Sequence, residues 1–210
     1  MSTAMHLPAF AVEILSWGLL GIGLLSLIEK LIPIIPSYVL FVFLGMAAVA
    51  GPGELAAVIA VSTLGSVIGG LAWFTLGRAL GEQRAESAVQ RYGRYVLLSP
   101  GLFERMKRSY QRNAVVVTLV GHAIPVVRFY LPLPAGVLSI RWMDFVLASA
   151  AGCLVWNAAL LSIGYAVRHS GLPPVQVGIW VVLGLLALEG GGVALLRWYH
   201  ARRRRGMASA

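Results

Sequence analysis

The sequence predicts an all-α polytopic membrane protein, in which two opposed re-entrant helical hairpins form an inverted repeat. About four transmembrane helices and an amphipathic cytoplasmic segment complete it. Composition is the first observation: of 210 residues 59% are apolar and 12% charged, with a mean hydropathy of +0.81, against about a quarter charged in a soluble globule. Charge-free runs are the second. Residues 31–53, 55–77 and 145–167 each hold 23 positions without a charge, and 169–188 holds 20. A helix of that length spans roughly 30–35 Å, enough for a bilayer core. The third is a pair of proline-broken apolar segments in corresponding halves, a pattern that points to an inverted-repeat transport site. A soluble enzyme and a disordered chain are excluded, and the single Cys153 excludes a disulfide scaffold.

From the N-terminus, Met1–Pro8 lacks a basic region and is not expected to be a cleaved signal. The stretch from about Ala9 to Ile28 reads as the first inserted helix, with Glu13 near its start. In residues 29–52, Pro33 and Pro36 follow Glu29, and Gly51-Pro52-Gly53 closes the run. Proline removes a backbone donor and clashes with the preceding turn, so a straight helix is excluded. Broken backbone at membrane depth survives where protein or a wet cavity surrounds it. A re-entrant hairpin meets that condition.

Residues 54–80 read as a full span whose Gly65 and Gly69 allow close helix approach. Residues 82–112 form the long polar segment, interrupted at Ser99-Pro100-Gly101. Its apolar positions recur at three and four, Val89, Tyr92 and Val96, then Phe103, Met106 and Tyr110, which predicts two amphipathic helices lying on the membrane surface. Residues 113–140 repeat the proline-broken pattern with Pro125, Pro132 and Pro134 around one charge, Arg128. Spans over about 142–168 and 174–197 follow, then the Arg202–Arg205 tail. The whole chain reads as one integral membrane domain.

The two broken segments align: Ile32-Pro33-Ile34-Ile35-Pro36-Ser37-Tyr38 against Ile124-Pro125-Val126-Val127-Arg128-Phe129-Tyr130, with Gly45 and Gly136 following each. The spans after them carry glycines twelve apart, Gly65 to Gly77 and Gly152 to Gly164. If both segments turn back to the side they came from, and the basic tail is cytoplasmic, 14 of the 17 Lys and Arg fall inside. Lys30 and Arg168 fall outside and Arg128 within the membrane. That distribution obeys the positive-inside rule, with both termini in the cytoplasm.

The net charge of +9 is gathered beside apolar spans, eight bases in 78–112 and five in 197–205. That placement suits anionic lipid head groups rather than nucleic acid. Arg128 is the most informative residue. Its permanently charged fork matches phosphate oxygens, and in an apolar run it needs a partner or water. A salt bridge to Glu29 and a phosphate-head-group site are both open, and compatible. Glu29 is either an interfacial charge or a cavity carboxylate that pairs Arg128 or takes a proton. His122 is either a satisfied polar group or a titrating ligand. Most tryptophans, Trp156 among them, are expected to mark membrane interfaces. Pro33, Pro36, Pro125, Pro134 and Gly136 are expected to break the hairpins. No catalytic residue, metal cluster or cofactor motif is found: no Gly-x-Ser-x-Gly, no P-loop, no His-Glu-x-x-His, no paired cysteines.

Several of these pieces fall in a familiar order: Glu29-x-x-x-Pro33-x-x-Pro36-Ser37, Gly65-x-x-x-Gly69, Phe74-x-x-Gly77-Arg78-x-x-Gly81, and Ile124-Pro125-Val126-Val127-Arg128 with Pro134-Ala135-Gly136. The series over about residues 15–170 resembles the DedA family, also called the VTT or SNARE-associated domain family. The resemblance implies facing re-entrant hairpins and transport of lipids such as undecaprenyl phosphate or phospholipids across the bacterial inner membrane. It departs at Tyr38, where an acid is usual, at His122, where Arg is usual, and at Gly70. Proton coupling and tight phosphate recognition are therefore not carried over. The expectation is a flippase or scramblase without enzyme activity. A small-solute or ion transporter and a non-transporting scaffold are the alternatives, and a homo-oligomer is left open.

Overall fold

The computed structural model describes residues 13, 16–32, 36–92, 100–122, 124, 127–173, and 176, 177, 179–181, 183, 184 and 187. Pro33, Pro125, Gly93, Glu189, the Arg202–Arg205 tail, the start of the expected first span and most of the expected last span lie outside them. The described residues are helical, without a strand: α1 Leu19–Leu31, α2 Ser37–Ala47, α3 Pro52–Tyr92, α4 Pro100–Arg112, α5 Ala114–Gly121, α6 Val127–Tyr130, α7 Pro132–Val137 and α8 Trp142–Val167. Two of them are long and apolar enough to cross a membrane, over Pro52–Ser87 and Trp142–Val167.

The breaks fall where the prolines direct. After Leu31 the chain is extended at Ile32, with φ −130° and ψ 97°, and Pro36 caps α2 in an extended conformation. The helix before this break runs unbroken through residue 28. Glu29 and Lys30 therefore stand at the end of α1 rather than at the start of a separate hairpin. Pro134 and Gly136, expected as breaks, lie inside α7 instead. Pro132 occupies the first turn and Pro134 follows it there, where a helix does not use the backbone N–H that proline lacks. In α3 the direction changes at Gly81, whose φ of 69° suits glycine. Helix 82–92 therefore leaves the line of the long span.

Packing between the halves is reciprocal. A Cβ at Gly45 of α2 would collide with the Leu161 carbonyl of α8, and one at Gly164 with the Val42 carbonyl of α2. In the other half, a Cβ at Gly136 of α7 would collide with the Phe74 carbonyl of α3, and one at Gly77 with the Leu133 carbonyl of α7. Helix α2 thus crosses α8, and α7 crosses α3, backbone on backbone. The preceding helices pack likewise: Gly65 of α3 meets the Gly23 carbonyl of α1, and Gly152 of α8 meets the His122 side chain at the end of α5.

Contacts also fix directions. The rings of Phe74 and Phe145 stack with centroids 4.6 Å apart, and Asn157 Nδ2 reaches Ser66 Oγ at 3.3 Å. The C-terminal half of α3 therefore lies beside the N-terminal half of α8, and the two run antiparallel. A cavity of about 460 Å³ is lined by Gly18, Leu19, Phe43, Ala47 and Glu54 among others, so the start of α1, the end of α2 and the start of α3 share one end of the molecule.

The apolar stripe of the amphipathic segment, expected to face lipid, is covered by protein. Phe103, Met106 and Tyr110 of α4 are buried with Val89, Leu131 and Val137, so protein covers their apolar stripe, while Tyr92 stays exposed. The Tyr110 hydroxyl donates to the Leu131 carbonyl at 3.2 Å. Burial pushes its ionisation up.

Candidate functional site: a buried charge cluster between two chain breaks

The two breaks bring their charges together. Helix α1 ends by presenting Glu29 and Lys30, 3% and 2% exposed, and α6 presents Arg128, which is fully buried. Arg128 Nη2 lies 3.8 Å from Glu29 Oε1. That distance is an ion pair but not a hydrogen bond. Among the described residues, none of the Arg128 side-chain nitrogens, and neither Glu29 oxygen, has a hydrogen-bond partner. Ser37 at the start of α2 is close enough for its hydroxyl to act on the Glu29 carboxylate, yet outside hydrogen-bond geometry.

The walls are aromatic. The Arg128 guanidinium carbon stands 4.6 Å from the Trp156 ring centroid and 5.2 Å from that of Phe129. Cations above such faces are held by the ring quadrupole. Trp156 is buried, so it lines the site instead of marking an interface, whereas Trp17, Trp142 and Trp180 are exposed.

Lys30, expected at a span end, is buried in the same cluster. Its Nζ donates to the Arg128 carbonyl at 3.2 Å and lies 5.5 Å from the Phe129 ring. His122 ends α5 against Gly152. Its Nδ1 is 2.7 Å from the Thr118 carbonyl, while Nε2 is buried without a partner. A carbonyl oxygen only accepts, so the imidazole proton sits on Nδ1 and Nε2 is left as an acceptor. The partner carbonyl lies one turn back in the same helix, not at the proline break. Lys30 and Arg128 are both near enough for their charges to act on His122.

Of the residues singled out in the sequence, Glu29, His122 and Arg128 stand near one another, while Lys30 and Trp156, read as interfacial, join the cluster and Asn157, not singled out, bonds to Ser62 and Ser66 of α3. The signal for Asn157 was available: it is the one amide in the charge-free run 145–167. It is fully buried, with Oδ1 unpaired. Lys30 carried no such signal, because a lysine at a span end reads as an interfacial anchor. Among the described residues no group of three or more His, Cys, Asp or Glu stands together as a metal site. The arrangement offers unused cationic donors in dry surroundings, which suits an anion with several oxygens.

The VTT domain matches residues 25–166, more than half of the chain, and the chain belongs to that family of membrane proteins, also called DedA. It is 27% identical over 183 residues to an alkaline phosphatase-like protein of Lactococcus lactis subsp. cremoris, covering 81% of this chain and 86% of the relative. It is 27% identical over 154 residues to undecaprenyl phosphate transporter A of Staphylococcus aureus, covering 73% and 76%. The same-named protein of Bacillus subtilis is 27% identical over 157 residues, covering 72% and 75%. No solved structure matches.

Proposed function

We propose that this VTT-domain protein carries lipids with a phosphate head group across the bacterial inner membrane, the phosphate meeting Arg128 between the tips of two opposed re-entrant hairpins. The tail stays in hydrocarbon while the head group passes, which avoids moving charge through lipid. One observation carries the reading: a fully buried guanidinium with every side-chain donor unpaired and its carboxylate 3.8 Å away. A buried cation in that condition is expensive unless it is there to receive an anion. The relatives named undecaprenyl phosphate transporter A support lipid-linked phosphate as the cargo class. His122 is proposed as a second contact to the head group, its Nε2 accepting from the hydroxyl of a singly protonated phosphate, and Glu29 as the counter-charge that holds Arg128 between ligands.

The hairpin geometry is supported by the shared end of α1, α2 and the start of α3, and by the reciprocal glycine crossings. In this reading both termini are cytoplasmic and the Gly51-Pro52-Gly53 turn is external. With Cys153 replaced, a cysteine at the exposed Gly53 should react with an impermeant thiol reagent added outside. Labelling only from the cytoplasmic side would overturn the topology.

Transport is tested in phosphatidylcholine proteoliposomes carrying a trace of undecaprenyl phosphate or a fluorescent phosphatidylglycerol. Wild type should move the phosphate lipid between leaflets and Arg128→Lys should not, because lysine keeps the charge and loses the planar fork. Equal rates for the two would overturn the role given to the fork. Movement of small anions without lipid would replace the reading with a solute transporter, and no movement of either would leave a scaffold.

A further inference from the structure

The charge cluster holds one more cation than its carboxylate balances, and that cation is Lys30. Its stem lies on α3 where Gly69 has no side chain; a Cβ there would come within 2.8 Å of Lys30 Cβ. The helix surface is cut to admit this side chain. Its ammonium makes one hydrogen bond, 3.2 Å to the Arg128 carbonyl, which joins the end of α1 directly to α6. The Phe129 ring lies beside it at 5.5 Å. An ammonium has three donors, so two remain for another acceptor. Against Lys30 and Arg128 stands Glu29 alone, leaving a formal charge of +1 among buried groups. A tie between the two helix ends needs one donor but no charge, so a neutral amide would serve it.

We propose that Lys30 is the second cation of the phosphate site, resting on the Arg128 carbonyl and released from it by the incoming anion. The Lys30 bond joins the two tips, so capture of a phosphate and separation of the tips become one event. A phosphate monoester, which carries between one and two negative charges at neutral pH, cancels that excess. The inference rests on the reading of Arg128 as a phosphate ligand and adds to it a residue, a trigger and a charge rule.

The test uses the full-length protein in detergent, with geranyl phosphate as the probe and geraniol as the neutral control. Binding is followed by ligand-dependent thermal stabilisation. Lys30→Met keeps the length of the stem on Gly69 and removes the charge, so affinity for geranyl phosphate should fall about tenfold or more, the loss of one charge-assisted hydrogen bond. Lys30→Arg should stay within about threefold of wild type, since an ionised donor remains. Lys30→Gln separates latch from charge: its amide can still donate to the Arg128 carbonyl, yet binding should weaken as in Lys30→Met. It carries the comparison if Lys30→Met does not fold. Wild-type affinity in the uncharged variants would overturn the role of Lys30 and leave Arg128 untouched. Binding by wild type no tighter than by Arg128→Ala would overturn both.

Discussion

Two charge clusters in this molecule are built in opposite ways. Around Lys107 on α4, three carboxylates gather on one ammonium: Glu82 at 2.5 Å, Glu104 at 3.2 Å and Glu86 in contact. Acceptors outnumber the cation, and the carboxylates face water. Between the chain breaks the ratio is reversed, with two cations, one carboxylate, a 3.8 Å gap and unpaired donors. The first cluster fastens helix 82–92 to α4, and its hydrogen bonds are already made. The second spends little of its bonding capacity on the fold. Satisfied networks rigidify, whereas buried groups left unpaired call for another explanation. The explanation proposed for it is a guest anion.

The contrast can be broken by substitution, and the largest effect should come from Arg128→Ala. Transport in proteoliposomes should fall about a hundredfold or more, since paired charge-assisted bonds are lost and Glu29 is left buried alone. Retained transport would make both clusters structural. Next comes Gly136→Ala, where a methyl group would enter the backbone of α3 at Phe74. A loss of about 1–3 kcal/mol or more is expected, read as lower thermal stability in detergent. Gly45→Ala should match it, because the crossings are reciprocal; a large inequality would unseat the repeat.

Lys107→Met should cost on the order of 1 kcal/mol, as partly solvated pairs do, and leave transport per folded molecule unchanged. The carboxylates of Glu82 and Glu86, with Glu104, hold the Lys107 ammonium above its ordinary value of 10.5. A raised lysine pKa gives stability that is complete below the unfolded value and lost only as pH rises through the folded one. Between about pH 7 and 9 the Lys107 contribution to the melting temperature should therefore be flat. The smallest effect belongs to His122→Gln, at most about tenfold on transport. If His122 exchanges a proton with the head group, wild-type transport between about pH 5.5 and 8 should depend on pH and the variant should not.

The sequence displayed the helical class, the helix ends at Leu31 and Gly121, and the glycine pairs, because proline and glycine act through local backbone geometry. It placed Arg128 and Glu29 together because an apolar run permits few partners for a buried charge. Lys30 was not legible: its burial depends on Gly69, thirty-nine residues onward, and on a carbonyl from the other half. The amphipathic stripe of Phe103, Met106 and Tyr110 was read correctly as a face but given to the wrong neighbour. Periodicity shows that a side of a helix is apolar, not whether lipid or protein covers it.

The reciprocal glycine crossings carry a consequence for assembly. Gly45 fits against α8 and Gly136 against α3, so each half supplies the surface on which the other half closes. A single half, made alone, would leave the bare backbone at its glycine without the helix that covers it. Neither half can therefore complete its own packing, and the chain closes only when both are present.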